Sequence, residues 1–202
     1  MLASRSTSEK LPWKLLSLEA VLVVLSVLLA LALNSWREAR GHERLAHRAV
    51  QTVVDEAQAN CLVVQNLLPY HRGVFAGEQE YHGLGEVFLR NDAWTSAQSA
   101  GAAHHMDYEV AAAVGAVHAL QVDHRRLIEA GIQAVYIAAT DQDPHLERFP
   151  PDADTDWLPG PHPMMLADLI RIQGELVQAY DTLFSVSERE YGIQIGSGCG
   201  GS

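Results

Sequence analysis

The feature that most restricts this chain is the run Leu15–Leu33, LLSLEAVLVVLSVLLALAL, which holds one charge, Glu19. A surface helix of a water-soluble domain carries a polar side, and this run has none. At a rise of ~1.5 Å per residue it spans about 28 Å, the thickness of a bilayer's hydrocarbon core. Trp13 and Trp36 flank it where aromatic belts sit, with Lys10 and Lys14 before it and Arg37 and Arg40 after it. The expectation is an N-terminal tail (residues 1–14) and a transmembrane helix (residues 15–33), with Trp13, Lys14, Glu19, Asn34 and Trp36 meeting the membrane. A cleaved leader is the competing reading, with Ala30-Leu31-Ala32 as its small-x-small site. The run is too long for an h-region of roughly 7–15 residues and lacks a polar c-region.

Glu19 lies about one turn inside the run, where its carboxylate can reach the interface; otherwise it marks a contact with a partner helix. The flanking cations hardly fix orientation. Arg5, Lys10 and Lys14 precede the run, and Arg37, Arg40, Arg44 and Arg48 come after it. The α-amino charge and the acidity of the chain beyond the run favour a cytoplasmic N-terminus.

Net charge is -11 overall, and from Ala49 onward 21 acidic residues face 7 basic ones, a balance of -14. Such a domain repels nucleic acid, which is therefore excluded as a partner. The chain's 202 residues suffice for one domain besides the anchor.

Beyond the run the pattern is helical throughout. Ala46, Val50, Val53, Ala57, Cys61, Val64 and Leu68 form one apolar stripe, and Pro69 is expected to end or kink that stalk helix. Asn91 or Asp92 can cap a short helix from Ala93 to about Ser99, with Gly101 ending it. Asp107 can cap a long helix to about Ala139, with Val110, Val114, Val117, Gln121, His124, Ile128, Gly131, Val135 and Ala138 as its stripe. The last helix begins near Pro163, with Met165, Leu169, Ile172, Leu176, Ala179, Leu183 and Val186 as its seam. The expected fold is all-α: the transmembrane helix continues into the stalk helix, which packs with two further long helices and a short one as a helical bundle. The soluble domain spans 34–191, with a proline-rich loop at 140–162, and a Gly-rich flexible tail covers 192–202.

The stretch Leu18–Val24 followed by Ala32-Leu33-Asn34-Ser35-Trp36-Arg37-Glu38 resembles the anchors of an uncharacterised family of small bacterial single-pass membrane proteins. Glu19, Ala32, Leu33, Asn34, Trp36 and Glu38 carry the resemblance, which covers roughly residues 15–45 and more loosely continues to His71. Ser26 stands where that family often has Gly. The resemblance implies a single-pass bacterial membrane protein and nothing chemical; with the orientation favoured by the charges, the expected place is the inner membrane with the C-terminal domain in the periplasm. A second likeness is to type IV pilins, since Glu19 is fifth from Leu15; it departs at Lys14, where pilin processing needs Gly.

The sequence carries no catalytic constellation. No His-Glu-x-x-His or Glu-x-x-His pair is present, and no Gly-x-Ser-x-Gly elbow. The metal-ligand candidates are His104 and His105, at an expected helix start, and Asp152, Asp154 and Asp156, which resemble half a calcium loop. In that loop Trp157 stands where Gly is required and Pro163 where Glu is required. No catalytic residue, metal or cofactor is therefore assigned. A Cys61–Cys199 bridge is possible in an oxidising compartment, but the two are expected to be unpaired, Cys61 as part of the packed stripe. The sequence points to a non-enzymatic, membrane-anchored helical domain acting through protein contacts. Its partners would be the lipid bilayer and either a second copy or another membrane protein. The alternative is a periplasmic domain that binds a metal or a small ligand.

Overall fold

The structure, a computed structural model, describes residues 13–85, 88–142 and 163–196. These form α1 (Trp13–Ala76), α2 (Asp92–Ser99), a 3-10 turn (Ala102–His105), α3 (Tyr108–Gln142) and α4 (Pro163–Tyr191), with no strand among the described residues. The chain divides into two compact units, Met1–Arg44 and Leu45–Ser202.

The described part of the first unit is the N-terminal portion of α1. It carries the apolar part of α1, the one described helix long and apolar enough to cross a membrane. Every side chain from Ser17 to Gly41 is exposed. Ser26 Oγ donates to the Leu22 carbonyl at 2.7 Å, so the hydroxyl in this apolar stretch is satisfied by its own helix.

In the second unit the remainder of α1 packs with α2, α3 and α4 around a main core, with a smaller cluster of Leu84, Ile128 and Leu169 besides. The stripes read from the sequence are the faces that become buried. On α1, Ala46, Val50, Val53, Ala57, Cys61 and Val64 are in the core, and Val54 joins them. On α3, Val110, Val114, Val117, Gln121, His124 and Ile128 are buried; the side chains of Val135 and Ala138 lie outside the described set. On α4, Leu169, Ile172, Leu176 and Leu183 are buried, joined by Tyr180 and Phe184, whose rings stack with centroids 6.2 Å apart.

Of the two outcomes expected at Pro69, an end or a kink, the helix does not end there; α1 runs on to Ala76. Proline removes one backbone donor, and here it stands on the exposed side of the helix, where water can satisfy the freed carbonyl. The extension carries His71 into the core. Helix α2 begins with Asn91 at its N-cap, but no side chain at that position caps it. The Glu56 carboxylate of α1 instead accepts the Ala93 N–H at 3.1 Å. At the start of α3 the expected cap is present: Asp107 Oδ1 accepts from the Glu109 N–H at 2.8 Å. Gly101, between α2 and the 3-10 turn, has φ 72°, a left-handed conformation that side chains disfavour.

After α4 the chain turns at Gly192 and returns along the domain. Ile193 is 2% exposed and belongs to the core, and Ile195 packs partly against it. The beginning of the segment expected to be a flexible tail is therefore packed. Cys61 is disulfide-bonded, which corrects the expectation of a free thiol. Cys199, the chain's one other cysteine, lies outside the described residues. A buried thiol in an apolar stripe reads as packing because its stripe does not reveal that the C-terminal segment comes back toward it.

Candidate functional site

Polar groups within the core are the strongest departure from simple packing, and they lie in two layers. Both layers join the core portion of α1 to α3 and α4.

The first layer is His71 on α1, Gln173 on α4 and His124 on α3, each at most 1% exposed. His71 Nδ1 and Gln173 Oε1 are 2.9 Å apart, and Gln173 Nε2 and His124 Nε2 are 3.3 Å apart. His71 Nε2 donates to the Leu84 carbonyl at 3.1 Å. A carbonyl oxygen can only accept, so that proton sits on Nε2, and the neutral ring offers Nδ1 as an acceptor. With the Gln173 oxygen toward His71, the ring needs a second proton and becomes a buried cation. With the amide turned over, Gln173 donates to His71, His124 donates to Gln173, and all four contact atoms pair between neutral groups. Burial favours the neutral arrangement. It also pushes the His124 imidazole down to about 4, with the neighbouring His71 adding to the shift.

The second layer is Tyr180 on α4, Gln121 on α3 and Asn60 on α1. Gln121 Nε2 donates to the Tyr180 hydroxyl at 3.0 Å. Asn60 also hydrogen-bonds Tyr180. Burial pushes the Tyr180 phenol up to about 12, against the pull of these two hydrogen bonds. Asn60 further grips the connection between α1 and α2. Its amide donates to the Arg90 carbonyl at 2.7 Å and accepts the Arg90 N–H at 3.0 Å. That connection is held at its other end by Tyr70, whose hydroxyl donates to the Gly83 carbonyl at 3.0 Å and accepts the His82 N–H at 2.7 Å.

These layers fix the register of the bundle rather than open a site to solvent. The groove between α1 and α2, of about 260 Å³, lies elsewhere and is lined mainly by alanines such as Ala49, Ala93, Ala97 and Ala100. Such a surface offers few polar groups to orient a ligand.

The metal-ligand candidates are not brought together in the described residues. His104 and His105 are exposed on the 3-10 turn, and among the described residues no group of three His, Cys, Asp or Glu side chains is placed to hold an ion. Asp152, Asp154 and Asp156 lie outside the described residues. Of the membrane set, Trp13, Glu19, Asn34 and Trp36 are exposed on α1; Lys14 is in the same helix, its side chain outside the described set. Sequence reasoning missed His71, Gln173, Asn60 and Tyr180 as partners. The one available signal was His124, a lone imidazole on an apolar stripe, which requires a polar partner from another element. No protein-family profile, curated protein or solved structure matches this chain.

Proposed function

We propose that this protein is a single-pass, membrane-anchored helical module that acts through protein contacts rather than catalysis. The observation that carries the reading is that one helix, α1, supplies both an entirely exposed apolar stretch and one wall of a packed domain. An apolar stretch of this size exposed to water is unfavourable, and a bilayer removes it at no loss of backbone hydrogen bonds. The likeness of residues 15–45 to a family of bacterial single-pass proteins agrees with an inner-membrane location.

The domain is proposed to face the periplasm, with the N-terminus in the cytoplasm. The disulfide at Cys61 supports this orientation, because such bonds persist in oxidising compartments. Protein contact is supported by the C-terminal part of α3, where Ile132 is 40% exposed. The rest of the domain is strongly acidic, so this apolar position suits a partner with an apolar surface and a basic rim.

Paired periplasmic and cytoplasmic reporters fused after Ser202 test the orientation, and a cytoplasmic signal sinks it. A photoreactive residue at Ile132, compared with one at Asp123 on the polar side of α3, tests the contact. A discrete adduct at Ile132 alone is expected. Equal labelling at both positions, or at neither, overturns a contact role for this end.

A further inference from the structure

We propose that the segment of α1 just after the apolar run is a binding site for the headgroup phosphate of an anionic phospholipid. The inference rests on the membrane reading above and adds a ligand to it. Arg37, Arg40 and Arg44 follow at intervals of three and four residues, so they share one face of α1. With Trp36 and Gly41 they border a groove of about 430 Å³. The Arg40 guanidinium lies over the Trp36 ring, 5.5 Å from its centroid, which holds the cation against the aromatic plane and leaves its N–H edge for a ligand. A Cβ added at Gly41 would meet nothing within 4 Å, so the groove is open at its middle.

Glu38 is turned away from this face. It points to His42, with Oε1 and Nε2 3.8 Å apart, on another side of the helix. Trp36 stands three residues after Leu33, at the depth where tryptophan meets headgroups. From Trp36 to Arg44 the helix rises about 12 Å, a distance that long arginine side chains bridge by reaching back toward the interface. A phosphate diester offers two charged oxygens to the fork of a guanidinium group. The rest of the chain beyond Ala49 is acidic and repels the same surface, so on this side of the apolar run attraction to anionic lipid comes from the arginines that directly follow it.

The test uses the full-length chain reconstituted in phosphatidylcholine vesicles carrying either spin-labelled phosphatidylglycerol or spin-labelled phosphatidylcholine. The fraction of motionally restricted label reports lipid held at the protein. A preference for phosphatidylglycerol of roughly fivefold is expected, the size of one arginine's attraction near a charged surface. It should fall to parity in R37Q/R40Q/R44Q and persist in R126Q/R171Q, whose arginines are exposed elsewhere on the domain. Absence of preference in the unaltered chain overturns the proposal, as does a preference that survives the triple substitution. Loss in the control variant also overturns it, because the effect is then one of total charge. A preference abolished by inorganic phosphate but not by chloride at equal ionic strength assigns the site to free phosphate instead. Flotation of the same samples separates the two readings. A chain that does not float with vesicles ends the membrane reading and this one together, whereas one that floats without lipid preference ends this one alone.

Discussion

His71 of α1 and Gln173 of α4 meet in the core with Nδ1 and Oε1 2.9 Å apart, and neither side chain is exposed at all. Gln173 is also the link to His124, so one amide serves two imidazoles from two other helices. Replacing it with leucine leaves His71 Nδ1 and His124 Nε2 buried without partners. Gln173→Leu should lower stability by roughly 3 kcal/mol, the desolvation cost of two orphaned groups less some gain in apolar packing. Thermal unfolding of the full chain in detergent reads this. A loss below about 0.5 kcal/mol, the range of ordinary surface substitutions, would show that the network contributes nothing.

The same network makes stability depend on acid. His124 titrates at about 4 in the folded protein and near its usual 6.5 when unfolded. Between these values the unfolded chain takes up a proton that the folded one refuses. Stability should therefore be full above pH 6.5 and fall as pH drops toward 4, by on the order of 3 kcal/mol from this group. Carboxylates add their own slope at the acid end, so the informative quantity is the difference from His124→Leu. That variant should be less stable at neutral pH and show a shallower decline. Parallel curves would rule out His124 as the source.

Gly131 sits where three elements crowd. A Cβ there would lie 2.5 Å from Leu84 Cδ1 and 2.8 Å from Met165 Cε. Both obstacles are ends of movable side chains. Gly131→Ala should be nearly neutral, because a helix-propensity gain of about 1 kcal/mol offsets the displacement. Gly131→Leu cannot be accommodated by side-chain shifts and should cost about 2 kcal/mol or more. Unfolding midpoints of the two variants check this; equal effects would mean the contact with Leu84 and Met165 is loose.

The disulfide at Cys61 predicts that the oxidised protein offers no reactive thiol, and that reduction under denaturing conditions exposes both cysteines of the chain. Cys61→Ser should lower stability by about 2–5 kcal/mol, the range for loss of a native bridge. Alkylation with and without reductant, followed by mass measurement, decides it. Labelling of the unreduced, unfolded chain would contradict the bond.

Tyr180→Phe removes the hydroxyl that Gln121 donates to and should cost about 1–2 kcal/mol. The neutral phenol is favoured by burial, so its contribution is present below pH 10 and lost as pH rises from 10 toward 12. The phenylalanine variant should lack that alkaline component when unfolding is followed across the range.

The helices and the faces they bury are legible in the order of residues alone. A run such as Leu15–Leu33 has no polar side, and spacings of three and four in the stripes of α1, α3 and α4 allow only one side of each helix to be apolar. The starts of α3 and α4 are legible for the same local reason: Asp107 and Pro163 act within one turn of their own positions. Relations between residues distant in the chain depend instead on how the helices meet. Glu56, not Asn91, satisfies the start of α2, because α1 passes there. Pro69 does not stop α1, because it falls on the solvent side, and so His71 enters the core. Gln173 and Asn60 are indistinguishable from surface residues in a periodic pattern; only the approach of a second helix supplies the partners that make their burial favourable. Cys61 and Ile193 are explained by the return of the chain after Gly192, which no local spacing encodes. Periodicity reports which face a helix must hide, and the geometry of packing selects which polar groups can be hidden with it.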